Sequence, residues 1–149
     1  MSITFERCKD LQFVASVLAN PKLSEALTDD FGPSAHPVDH PSVSYVAITD
    51  SGEFLGIAIV NAHSVVQWEV HNLLLPRVGW KKRIQVGREF FNWLWVAGCK
   101  RVIGKALASN RYAVKYNEIV GMERIGVNRK AFMKNGELVD EVWWGISAP

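Results

Sequence analysis

The apolar positions of the chain change period several times, and each change marks an element. "SVSYVAITD" (42–50) alternates apolar and polar side chains as a half-buried strand does, and "EFLGIAIVNA" (53–62) returns as a second strand after the turn residues Asp50-Ser51-Gly52. "SVVQWEVHNLLL" (64–75) is a third, stopped by Pro76, and the short connections predict an antiparallel meander. From about Lys81 to Ala97 the period is helical. Phe90, Phe91, Leu94 and Trp95 form one stripe, while Trp93 and Val96 lie off it, so this helix is apolar nearly all round and is expected to be sandwiched or docked. Gly98 suits its C-terminus. "RVIGKAL" (101–107) reads as a short strand covered on both faces, and strand, helix, strand at this spacing predicts a parallel crossover.

The flanks complete the order. "SITFERC" is a first strand, "LQFVASVLA" an amphipathic helix ended by Asn20-Pro21, and "KLSEALTDD" a second, shorter helix. "FGPSAHPVDHP" is a loop. After the crossover, Ser109 is the expected N-cap of "NRYAVKYNEIV", which Gly121 closes. "ERIGVNRKAFMK" and "ELVDEVWWGI" flank Asn135-Gly136, a strong hairpin signal. The expectation is one α+β domain over residues 1–149, with a mixed sheet of about seven strands flanked by about four helices.

Composition narrows the function classes. A chain of 149 residues suits one sizeable core. A net charge of +2 gives no global basic field, so neither nucleic acid nor an anionic membrane is the expected partner. Cys8 and Cys99 are too few and too far apart for a disulfide framework or a zinc site. "MSITFERCKD" lacks the apolar run of a signal peptide, and no stretch reaches transmembrane length, so a cytoplasmic protein is expected. His36, Asp39 and His40 in the proline-rich loop lack a third strong ligand, and no metal is expected there.

Two stretches suggest chemistry. "KKRIQVG" (81–87) puts Lys81, Lys82 and Arg83 where a helix begins, and a helix N-terminus with nearby cations favours phosphate. Glu69 and His71, two apart on a strand, face one side. Either could take a proton from an attacking amine, His71 with an ordinary imidazole and Glu69 only if burial raised its pKa.

From Ile3 to Ile146 the element order resembles the GNAT superfamily of N-acetyltransferases, and local motifs sharpen the likeness. "KRIQVG" resembles the family's Q/R-x-x-G-x-G/A turn, with Lys82 in the leading place, Gln85 at the middle glycine, Val86 between and Gly87 at the last glycine. The resemblance implies that backbone N–H groups here hold the pyrophosphate of coenzyme A, with the cationic cluster offsetting the lost glycine. "NRYAVKYNEIVGME" resembles the second motif. Asn110, Ala113 and Gly121 match, Met122 stands where Phe is usual, and the tyrosine that protonates the departing thiolate falls on Asn117. Tyr116 comes one residue earlier, about 100° around a helix. The resemblance further implies acetyl-CoA as co-substrate, a pantetheine arm near Asn110 and Ala113, and backbone amides at Leu74 and Leu75 polarising the thioester carbonyl. It implies an amine-bearing acceptor, small molecule or protein.

"EVH" together with "GVNRKAFMKNGELVDEVWWGI" looks like a phage-encoded branch of the superfamily, whose members include virion and head-assembly proteins. The alternative expectation is therefore a catalytically inactive phage scaffold or binding protein, with phage structural proteins as partners. Exposed tryptophans on the apolar helix would favour a homodimer.

Overall fold

The computed structural model describes residues 2–24, 29–30 and 36–149. Their order is β1 (Ile3–Cys8), α1 (Leu11–Leu18), α2 (Pro21–Ser24), β2 (Val43–Asp50), β3 (Glu53–Ala62), β4 (Gln67–Leu74), α3 (Trp80–Val96), β5 (Arg101–Leu107), α4 (Arg111–Ile119), β6 (Glu123–Lys134) and β7 (Glu137–Ser147). The remainder of the expected second helix and the first residues of the following loop lie mostly outside the described residues.

One seven-stranded sheet runs β1-β2-β3-β4-β5-β7-β6. All neighbours are antiparallel except β4 and β5, which the α3 crossover makes parallel. Both tight hairpins place two consecutive residues at positive φ, Ser51-Gly52 and Asn135-Gly136, the backbone that matches the twist of paired strands. α3 and α4 cover one face. There Phe90, Leu94 and Val86 of α3 meet Val46, Ile48, Ala58, Leu74, Val102 and Trp144 of the sheet, and Phe5 of β1 lies 5.0 Å from the Phe90 ring. On the other face α1 and α2 pack Val14, Val17, Leu18 and Leu23 against Tyr45, Ile57 and Leu73.

Several expectations change. The third strand begins at Gln67, because Ser64 hydroxyl accepts from the Val66 and Gln67 amides and holds residues 64–66 in a turn. Asn110, not Ser109, caps α4, its side chain accepting from the Ala113 amide. α3 begins at Trp80, one residue before the expected Lys81, so "KRIQVG" is helix and not a turn, and the β4–α3 connection is Leu75–Gly79. Trp93 and Trp95 are half-buried against the core, and the exposed residue of that helix end is Val96. Trp143 and Trp144 face opposite sides of β7, with Trp144 fully buried.

The sheet carries one discontinuity. β4 and β5 are paired only at Gln67–Arg101, Trp68–Val102 and Glu69–Ile103, after which they part. Leu75 donates its amide to Leu55 of β3. Alternation along the strand therefore turns the backbone groups of Asn72 and Leu74 the other way, into the gap that β5 leaves.

Candidate active site

The gap between β4 and β5 passes through the sheet. Val70, Asn72, Val102, Gly104, Ala106, Asn110, Ala113, Tyr116 and Asn117 line it on the helix side, and His71, Leu73 and Lys105 on the other. Its mouth, at the C-terminal end of β4, is formed by Leu74, Arg83, Asn110 and Tyr112, with Lys22 and Leu23 of α2 beside them. Two strands that part while a helix starts at their tip leave donors pointing at one volume from the strand backbone and the helix N-terminus.

The α3 N-terminus stands at this mouth. Gly79 is its N-cap, and no side chain caps the first turn, so the Trp80, Lys81 and Lys82 amides point forward. A Cβ added at Gly79 would meet nothing within 4 Å, which leaves the approach to these amides open. Trp80 packs edge-on against Tyr112 with ring centres 4.7 Å apart, and Lys115 lies over the Trp80 ring at 6.0 Å. The glycine at the start of α3 is thus Gly79, and residues 85–87 lie within the helix.

The "KKR" cluster divides three ways. Lys81 is exposed on the first turn. Lys82 forms an ion pair with Asp50 at 2.8 Å. Arg83 turns back over the connection, donating to the carbonyls of Val78 at 2.8 Å and Leu75 at 2.7 Å, and so clamps the β4–α3 turn. Gln85 lies in the second turn of the helix, and Val86 is a core residue. Gly87 is buried where α3 crosses α4, and a Cβ there would overlap the Tyr116 hydroxyl. Its lack of a side chain serves helix packing.

That packing brings Tyr116 into the gap. Its hydroxyl accepts from Asn72 Nδ2 at 3.2 Å, and burial raises its pKa, so it holds its proton. Asn117 instead lies beside Gly104 and Met122, on the β5 side of the same gap. Asn72 Oδ1 is buried without a hydrogen-bond partner among the described residues. Of the two expected backbone donors, Leu74 faces the gap, whereas the Leu75 amide is committed to β3.

On the opposite face Glu69 is the hub of a cluster. One carboxylate oxygen is 2.6 Å from His71 Nε2, and the other is 2.9 Å from His63 Nε2 and 3.0 Å from Lys105 Nζ. Lys105 in turn sits 4.1 Å from the centre of the Trp143 ring, and Trp143 Nε1 donates to Glu141. Burial pushes the Glu69 pKa up, but hydrogen bonds and charge from His71 and Lys105 outweigh it and bring it down to about 2. The condition set for Glu69 to act as a base, a pKa raised by burial, is not met here: the carboxylate stays ionised. An ionised carboxylate only accepts, so His71 Nε2 donates to Glu69 and Nδ1 is the nitrogen left for a further partner. His63, in the β3–β4 turn, reaches the site because the hairpin folds it onto Glu69.

No protein-family model matches the sequence, and no curated protein matches it. Solved structures do match the fold. A spermidine N-acetyltransferase from Vibrio cholerae, in complex with CoA and spermine, superposes with a TM-score of 0.77 at 14% identity, covering 98% of this chain and 95% of that one. An acetyltransferase of the GNAT family from Bacillus anthracis gives 0.75 at 13% identity, covering 99% and 95%. Together with the parted parallel strands and the uncapped helix at their mouth, these likenesses establish that the chain has the GNAT fold.

Proposed function

We propose that the protein is an acetyl-CoA-dependent N-acetyltransferase acting on an amine-bearing acceptor, a small molecule or a protein. The observation that carries this reading is the β4–β5 gap, with helix amides at its mouth, the Tyr116 hydroxyl inside it and the Glu69–His71 pair at its far opening.

The residues present fit coenzyme A. The forward amides of Trp80, Lys81 and Lys82, with Lys81 beside them, suit the pyrophosphate. The unpartnered Asn72 oxygen and the gap-facing backbone of Asn72 and Leu74 suit an extended arm with amide groups. When bound, coenzyme A supplies an acetyl thioester to the amine and leaves as a thiol.

Each residue then has a task. His71 Nδ1 takes the proton of the acceptor ammonium, and the imidazolium so formed is stabilised by Glu69, held ionised by Lys105. The Leu74 amide, turned into the gap, donates to the carbonyl oxygen as negative charge develops on it. Tyr116 releases its hydroxyl proton to the departing sulfur, the task that Asn117 cannot perform. Proton uptake and proton release lie on opposite faces of the sheet and meet only through the gap.

The test is calorimetric titration with acetyl-CoA, followed by acetyl transfer to a panel of amines and peptides read by mass spectrometry. Binding in the micromolar range, and transfer lost in His71→Ala with binding retained, is the expected result. A folded protein that gives no heat with acetyl-CoA and acetylates nothing would overturn the reading.

A further inference from the structure

We infer that Asn72 is the positioning residue for the proton donor, coupling the presence of the arm in the gap to the orientation of the Tyr116 hydroxyl. The inference rests on the transferase reading above and concerns a residue that the sequence motifs do not single out.

Asn72 lies on β4 between the paired stretch and the mouth. Its side chain falls on the α3/α4 face, as those of Val70 and Leu74 do. Nδ2 donates to the Tyr116 oxygen, so the phenolic proton must point elsewhere, and α3 leaves it little choice. Gly87 bounds the hydroxyl on the α3 side so closely that no Cβ would fit. The remaining direction is the gap, where sulfur would lie.

The other half of the amide carries the second observation. Among the described residues Oδ1 is buried with no partner, an expensive state for an amide oxygen. A leucine would fill the same volume with no unpaired oxygen of its own, but it would take the hydrogen bond away from the Tyr116 hydroxyl. An arm bearing an amide N–H would satisfy Oδ1, fix the amide plane, and so fix Nδ2 on the tyrosine. The donated hydrogen bond also makes the phenol a better acid, acting against the burial that raises its pKa. The other charged or titratable groups around this phenol are Arg83 from α3, Tyr112 from the first turn of α4, and His71 and Lys105 at the far opening. The hydrogen bond to the phenol oxygen comes from Asn72.

The experiment uses two probes on the whole chain: coenzyme A, and adenosine bisphosphate, its nucleotide half without the arm. Binding is followed by calorimetry, and the ionisation of bound coenzyme A by thiolate absorbance against pH. In Asn72→Leu, coenzyme A affinity should fall by about tenfold, the worth of one net hydrogen bond, while adenosine bisphosphate binds as before. The bound thiol should ionise at higher pH than in the wild type, and Tyr116→Phe should show the same displacement. Asn72→Asp keeps an acceptor and loses the donor. It should retain most of the coenzyme A affinity yet show the thiol displacement, and it serves as the readout if the leucine variant fails to fold. Wild-type affinity in Asn72→Leu, or equal loss of both probes with thiol ionisation unchanged, would reduce Asn72 to scaffold and overturn the inference. A wild type that binds neither probe would remove the transferase reading itself and this inference with it.

Discussion

Replacing Glu69 with glutamine isolates the hub of the cluster without changing its shape. The carboxylate is mostly buried, with a side-chain exposure of 13%, and its partners bring its pKa from 4.5 to about 2. At about 1.4 kcal/mol per pH unit, that displacement corresponds to about 3 kcal/mol of folding stability. The sign follows from the direction. A carboxyl whose pKa is lower in the folded state stabilises above its unfolded pKa, and the contribution is lost as pH falls from about 4.5 through about 2. Glu69→Gln should therefore be less stable than wild type by about 2–3 kcal/mol at neutral pH, since it leaves Lys105 without its counter-charge. The difference should shrink steadily below pH 4.5. Urea unfolding followed by tryptophan fluorescence, at several pH values from neutral to 3, measures it. A stability gap that is absent at neutral pH, or one equally large at pH 3, would refute the assignment of Glu69 as a permanently ionised clamp.

Other variants probe the remaining parts. Gly87→Ala should destabilise the fold by about 1–3 kcal/mol, because the methyl group pushes α3 off Tyr116, and thermal unfolding would show it. Lys82→Ala should leave coenzyme A affinity within a few-fold of wild type because Lys82 is engaged by Asp50, whereas Lys81→Glu, at the first turn of α3, should weaken it several-fold; calorimetry separates the two. Tyr116→Phe should lower kcat by about 10²–10⁴ with little change in KM, and Asn117→Ala should not, as steady-state rates with any acceptor found would reveal.

The strands were legible because alternation is a local property, and "RVIGKAL" matches β5 residue for residue. The start of α3 was legible to within one residue, but its N-cap was not, because Gly79 carries no capping side chain and the basic run with its second glycine drew attention further along. Gly87 could be placed only by knowing that Tyr116 crosses above it, a contact across 29 positions of chain. The family motif puts the tyrosine's place at Asn117, about 100° around the helix from Tyr116. Here the phase is set by the Asn110 cap and by Gly87, and it turns Tyr116 to the gap. Glu69 and His71 were visible as a pair, but their protonation was not, because Lys105 arrives from β5 and His63 from a turn. The phage likeness rested on spacing alone, and no contact described above depends on it.

The seam between β4 and β5 has a mechanical consequence. Among the described residues three pairs form the ladder that joins the four-stranded half of the sheet to the three-stranded half, with helix packing and the Glu69–Lys105 ion pair beside it. A guest lying along β4 would act as a missing strand, supplying rungs between two leaves that the chain leaves ajar. Occupancy should then stiffen the whole molecule, and amide hydrogens of residues 70–74 should pass from quick to slow exchange with solvent when the guest enters.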